Sequence, residues 1–234
     1  LGVYKDTTAE EVCSSFILKK LKQHSMKKYL LSLLMVAMFG INSFAQMAMP
    51  TPMDPNVRYG KLDNGLTYYI RHNEKPDNRA DFYIAQKVGS VLEEENQRGL
   101  AHFLEHMAFN GTTNLPGMTL RNYLQSRGIK FGENLNAWTA IDQTVYMVTN
   151  VQTDLPGLVD TCLLILHDWS SFIALEDEEI DNERGVILEE ERTTGGANRR
   201  VMETLLPKMY PGSPYGERLP IGTREVIANF SYQD

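Results

Sequence analysis

"GLAHFLEHMAFNGT", Gly99 to Thr112, carries the decisive reading of this chain. Wound as a helix at 100° per residue, it places His102, Glu105, His106 and Phe109 at i, i+3, i+4 and i+7 on one face. Leu100, Phe103, Leu104 and Met107 fall on the opposite face. The apolar face can anchor the helix to a core, which leaves the polar face reading as the wet side. Two imidazoles one turn apart can point at one ion, and Glu105 flanks them. The same pattern also describes three polar residues on a solvated helix, so a third ligand has to decide.

A catalytic zinc takes two neutral imidazoles and a third protein ligand, and keeps a fourth position open. A free carboxylate beside a water whose pKa the metal has lowered can take its proton. The order His-x-x-Glu-His inverts the commoner His-Glu-x-x-His, and both occur in metallopeptidases. The chain has five histidines, and two of them sit in this one motif. His72 and His167 are isolated and read as ordinary residues.

The third ligand is sought in "EEIDNERGVILEEERTT", Glu178 to Thr194. There Ile180, Glu183, Ile187, Glu190 and Thr194 share one helical stripe. A carboxylate on an apolar stripe is costly unless it is paired or metal-bound. A solvated acidic helix is the competing reading, since Glu178, Glu179, Glu189 and Glu191 are solvent types.

Composition narrows the class. The chain has 234 residues, 42% hydrophobic and 23% charged, as in a globular protein. A net charge of −7 argues against a nucleic-acid surface. No phosphate-cradling glycine loop appears, and the two cysteines, Cys13 and Cys162, have no metal-ligand spacing. Cys162 reads as a small core residue.

Met26 opens "MKKYLLSLLMVAMFGINSFAQ", in which two lysines precede an apolar run that ends in Ser43-Phe44-Ala45. That is the layout of a secretory signal peptide over 26–45, and the run is short for a bilayer span. Met26 is then the start, and residues 1–25 read as upstream read-through. Removing residues 1–45 takes away six basic and three acidic residues and leaves a charge of −10. The expectation is an exported protein, periplasmic or extracellular, with no stable membrane span.

Residues 46–57 read as a linker and 58–234 as one domain, truncated at its C-terminus. "RYGKLDNGLTYYIRHN" reads as a hairpin turning at Asp63-Asn64-Gly65. "ADFYIAQKVGS", "LNAWTAID" and "QTVYMVTNV" read as strands. Helices are expected over Gln97–Asn110, within "MTLRNYLQSRG", over Leu155–Phe172, over Asp177 to about Thr193 and near Val201–Met209. In Leu155–Phe172 the buried stripe is expected to be Leu158, Val159, Cys162, Leu166 and Trp169. "GGANRR" reads as a loop and "YPGSPYGERLPIG" as a surface segment. The sum is an α+β fold, a largely antiparallel sheet with helices on one side.

At this point the chain resembles the pitrilysin/insulinase family of zinc peptidases, which includes the mitochondrial processing peptidases. "GLAHFLEHMAFNGT" is similar to its inverted zinc motif, "NLNAWTAIDQTVY" to its Asn-Ala-aromatic-Thr strand, and "ERGVILEEE" to its second glutamate motif. The resemblance implies that His102, His106 and Glu190 hold Zn2+, that Glu105 is the general base and that Glu183 is a supporting carboxylate. It implies that Asn136, Ala137 and Thr139 bind extended peptide substrate, and that a second half, on this chain or another, completes the enzyme. The expected activity is zinc-dependent endopeptidase hydrolysis, with these 234 residues alone weakly active or inactive. The alternatives are a catalytically inactive scaffold member of the family, or a lyase of the S-ribosylhomocysteine type, whose third ligand is cysteine.

Overall fold

The computed structural model describes residues 52–234. The leader reading of residues 26–45 and the read-through reading of residues 1–25 lie outside them. Among the described residues no helix is long and apolar enough to cross a membrane. The described residues divide into two units, residues 52–72 and 73–234.

In the first unit β1 (Val57–Lys61) and β2 (Thr67–Arg71) form an antiparallel hairpin in which Tyr59 faces Tyr69. The Asp63-Asn64-Gly65 turn is the one read from sequence. Gly65 sits at φ +94°, where a side chain would be strained, and Asn64 Oδ1 accepts from the Leu66 N–H.

In the second unit β3 (Arg79–Gln86), β4 (Leu135–Thr139) and β5 (Thr144–Gln152) form an antiparallel sheet in the order β3-β5-β4. β5 is central and alternates. Thr144, Tyr146 and Val148 are buried on one face, where Leu120, Leu135, Ile165 and Trp169 join them in the main core. The register places Tyr83 and Trp138 on the other face, 56% and 41% exposed. Helices therefore cover one side of an antiparallel sheet, the expected α+β arrangement.

The helices are α1 (Leu100–Met107), α2 (Thr119–Ser126), α3 (Leu158–Ser171), α4 (Asp177–Thr194), α5 (Ala197–Met209) and α6 (Arg224–Asn229). Three differ from the sequence reading, and α6 has no counterpart in it. α1 is shorter than Gln97–Asn110, because Gly99 enters at φ +105° and residues 95–97 form a separate 3-10 turn. α3 starts at Leu158 behind Gly157 at φ +75°, and Ile165 and Asp168 join Leu158, Cys162 and Trp169 on its buried face, whereas Val159 and Leu166 are half-buried. "GGANRR" is a loop only at its two glycines; the helix takes over at Ala197.

α3 ties the sheet to α1. Trp169 stacks on Tyr146, and its indole N–H donates to the Ala108 carbonyl at the end of α1, 2.9 Å away. Next to it Asp168 is fully buried. Its carboxylate accepts from Thr112 Oγ1 at 2.6 Å and from the Asn114 side chain at 2.8 Å, and so fixes the turn that follows α1. Burial pushes this carboxyl upward, but the bonds from Thr112, Asn114 and His167 outweigh it and hold it below its ordinary value.

A carboxylate held down in the folded state contributes stability that is present above its unfolded pKa and is lost as pH falls through the folded one. Asp168→Asn turns one acceptor into a donor facing Thr112 or Asn114, so it is expected to cost about 2 kcal/mol at pH 7. The gap between parent and variant should shrink as pH drops below about 4, measured by denaturant unfolding across pH. A gap independent of pH would refute the assignment.

Candidate metal centre

α1 is two turns long and is wedged between the sheet and α4. Phe103 and Met107 pack with Ile180, Ile187 and Ile227 in a second buried cluster. Burying such side chains contributes roughly 1.5–3 kcal/mol each. This contact brings the polar residues one position away on α1 opposite the polar residues three positions away on α4.

The face read as wet is not wet. Glu105 is 8% exposed, because β4 and β5 pack against the helix on that side. Phe109 leaves the polar face altogether and joins the sheet core, edge-on to Trp169 and Phe131.

His102 and His106 meet at 4.7 Å between ring centroids, nearly perpendicular, with their Nε2 atoms 3.2 Å apart. Glu190 Oε2 lies 3.4 Å from His106 Nε2 and 3.8 Å from His102 Nε2. A tetrahedral zinc with ligands at about 2.0–2.1 Å has ligand–ligand edges of roughly 3.3 Å. The three atoms stand close to that spacing. Among the described residues no other three histidine, cysteine or acidic side chains converge in this way.

His106 Nδ1 donates to Glu183 Oε1 at 2.7 Å, and the Asn110 side chain donates to Glu183 Oε2 at 2.7 Å. In the neutral ring the first bond selects the tautomer whose Nε2 lone pair faces His102 and Glu190. His102 Nδ1 is buried without a partner, so its imidazole is engaged only through Nε2.

The electrostatics ask for a cation. Burial pushes His102 down to about 4, so it is neutral at pH 7. Burial also works against charge on His106, but its bonds to Glu183 and Glu190 outweigh that and lift it to about 9. Glu190 is held below its ordinary value, chiefly by His106. A neutral imidazole beside two carboxylates that favour a positive neighbour fits a divalent metal.

Glu105 belongs to a different set of contacts. Its Oε2 accepts from Thr139 Oγ1 at 2.6 Å, and burial pushes its carboxyl above the ordinary value while that bond opposes the rise. Thr139 closes β4, where its register partner is Thr144, and that register turns its hydroxyl towards α1. Thr139, read as a substrate contact on the strand, also gives its hydroxyl to Glu105. Asn136 and Ala137 lie on β4, the outer strand of the three; the Ala137 N–H is taken by the Asn136 side chain at 2.9 Å.

Two contacts escaped the sequence reading. Asn110 is i+4 from His106 and continues its stripe, but the Asn-Gly pair reads as a helix stop. The bond from Thr139 to Glu105 needs the strand register, which no local pattern states.

The family described as Insulinase (Peptidase family M16) matches residues 68–220. A protein named "Zinc protease PQQL-like" from Arabidopsis thaliana is 46% identical over 169 residues, 72% of this chain and 18% of that protein. "Probable zinc protease PqqL" of Escherichia coli (strain K12) is 36% identical over 182 residues, 78% of this chain and 19% of that one. The crystal structure of the first half of the periplasmic protease PqqL from Escherichia coli superposes with a TM-score of 0.73 at 35% identity, covering 78% of this chain and 39% of that one. The chain thus spans about a fifth of the length of these curated relatives.

Glu183→Gln keeps the shape of the side chain but sets a donor against His106 or Asn110. It is expected to weaken zinc binding about 10–100-fold, read by competition with a chromogenic chelator. Unchanged affinity would mean that Glu183 does not set the His106 tautomer.

Proposed function

Because the chain belongs to the insulinase family of peptidases (peptidase family M16), we propose that it carries the metal site of a zinc-dependent endopeptidase acting on extended peptides. The observation that supports this best is the convergence of His102 Nε2, His106 Nε2 and Glu190 Oε2, with the buried Glu105 in electrostatic reach of His106 and Glu190. When bound, zinc supplies Lewis acidity to a scissile carbonyl and acidifies water.

The chain's own residues do the rest. His102, His106 and Glu190 hold the metal. Glu183 fixes the His106 tautomer, and Asn110 fixes Glu183. Thr139 occupies one oxygen of Glu105 and orients the other as the base. Glu105 takes a proton from water and returns it to the departing amine. The outer edge of β4, with Asn136 and Ala137, would pair its backbone with an extended peptide, the Ala137 N–H exchanging the Asn136 side chain for the peptide, a mode that tolerates varied side chains.

Every residue of the set is present, which favours a peptidase over a degenerate scaffold. Cys162, the only cysteine among the described residues, is buried in the sheet core, which disfavours a cysteine-ligated lyase site. A relative described as the first half of a periplasmic protease supports a second half, on the same chain or a separate subunit, and export through the Met26–Ala45 leader. Residues 58–234 are then the N-terminal metal-binding domain of that assembly.

Mass spectrometry should find zinc in the purified intact protein. Glu105→Gln is expected to keep that zinc and lose peptide hydrolysis by about 10²–10⁴-fold, the range for a removed general base. Hydrolysis unchanged by this variant would end the proposed mechanism. Thr139→Val should lower kcat roughly tenfold or more, the loss of one hydrogen bond to a charged group. The 234-residue chain alone should bind zinc but cleave peptides weakly or not at all; robust cleavage would count against the need for a second half.

A further inference from the structure

α1 has only two turns, and His102 is its third residue, so the register of both histidines depends on how the helix begins. The usual device at this place is a capping side chain on the residue before the helix. Here that residue is Gly99, and no side chain fits. A Cβ on Gly99 would meet Ile227 Cδ1 at 2.7 Å and Gly222 Cα at 3.1 Å, and the backbone stands at φ +105°.

The cap comes from elsewhere. Glu93 Oε2 accepts from the Gly99 N–H at 3.0 Å, and Glu93 Oε1 accepts from the Ala101 N–H at 2.9 Å. Both carboxylate oxygens are thus spent on the first turn of α1, where a negative charge also suits the helix dipole.

Glu93 is itself held by the segment read from sequence as plain surface. Arg218 Nε donates to the Glu93 carbonyl at 3.1 Å, and another guanidinium nitrogen donates to Glu95 at 2.7 Å. The Arg218 carbonyl accepts from the Ser90 hydroxyl at 2.6 Å. On the other side of the helix entry Arg98 donates to the Glu217 carbonyl at 2.6 Å, and Gly222 lies so close that a Cβ there would strike Arg98 O at 2.3 Å. Residues 217–223, some 120 positions downstream, are a strap across the start of α1.

We propose that Glu93 is a positioning residue for the metal centre: braced by Arg218 on the 217–223 strap, it fixes the first turn of α1 so that His102 and His106 converge with Glu190. It touches neither metal nor substrate and acts through the helix. The proposal rests on the metallopeptidase reading above.

The test uses the intact protein and zinc itself. Glu93→Gln keeps the size of the side chain but turns one oxygen into a donor facing a backbone N–H. Its zinc dissociation constant is expected to rise about tenfold or more, and kcat to fall by a similar factor with KM within about twofold. The unfolding midpoint of the metal-free protein should stay within about 4 °C of the parent, so that a merely structural loss is told apart. Glu93→Asp, with the charge kept but the reach shortened, should recover part of the affinity. Arg218→Gln, which leaves the carboxylate in place and removes its brace, should lower affinity in the same assay. It also serves as the deciding variant if Glu93→Gln does not fold.

Zinc affinity within twofold of the parent in the folded variant overturns the proposal. So does a loss of affinity matched by an equal collapse of the metal-free fold. If the parent holds no zinc, or Glu105→Gln leaves hydrolysis intact, it is the metallopeptidase reading that has failed. If both of those hold and Glu93→Gln behaves as the parent, only the positioning role is lost.

Discussion

The hydrogen bond from His106 Nδ1 to Glu183 Oε1, 2.7 Å long and largely screened from water, joins the two helices that make the site. A neutral imidazole that gives its Nδ1 proton to a carboxylate presents a lone pair at its other nitrogen, the form in which a metal ion at Nε2 would replace the proton that Glu183 and Glu190 otherwise favour. That one commitment decides which way the ring faces, what Glu190 meets and why Asn110 must hold the far oxygen of Glu183. Without it, two half-buried carboxylates and two imidazoles would share a crevice with nothing to settle their protons.

The bond is possible only because the helices are already pressed together by apolar contacts one residue over. Phe103 and Met107 meet Ile180 and Ile187, and the spacing of four on one helix against seven on the other carries His102 and His106 to Glu183 and Glu190. The cost of burying charge is therefore met by packing that lies beside it on the same two helices. The other side of α1 is fixed differently. There the sheet supplies Thr139 for Glu105, and α3 supplies Trp169 and Asp168 for the end of the helix and the turn beyond it. The two sides of α1 are thus braced by different parts of the fold, although His102, Glu105 and His106 share the helix and feel one another's charge.

Much of this was legible before folding. The 3.6-residue period located the histidine pair and the glutamate stripe, and the alternation in "QTVYMVTNV" located the central strand. The Asp-Asn-Gly turn placed a hairpin that the structure contains. What the period could not show was that both faces of α1 are covered, since a polar face looks the same whether water or a strand lies over it. Phe109 shows the limit well: it belongs to the polar stripe by angle, but to the sheet core by contact. The segment "YPGSPYGERLPIG" shows another. Its prolines and glycines mark an irregular backbone, yet Gly216 is buried and Arg218 reaches back to Glu93 because the chain is folded across the helix entry.

The sequence by itself determined the chemistry at hand: two imidazoles one turn apart, a carboxylate beside them and two more at seven-residue spacing, all of which follow from helical geometry along a single segment. Only the tertiary structure decided which carboxylate meets which nitrogen, that Thr139 serves Glu105, and that a glutamate six residues before a glycine caps the helix. The first two join residues 77 and 34 positions apart, and the cap, though local, is braced by Arg218, 125 positions beyond Glu93. Their distances are set by sheet register and helix packing, and local periodicity carries no information about either.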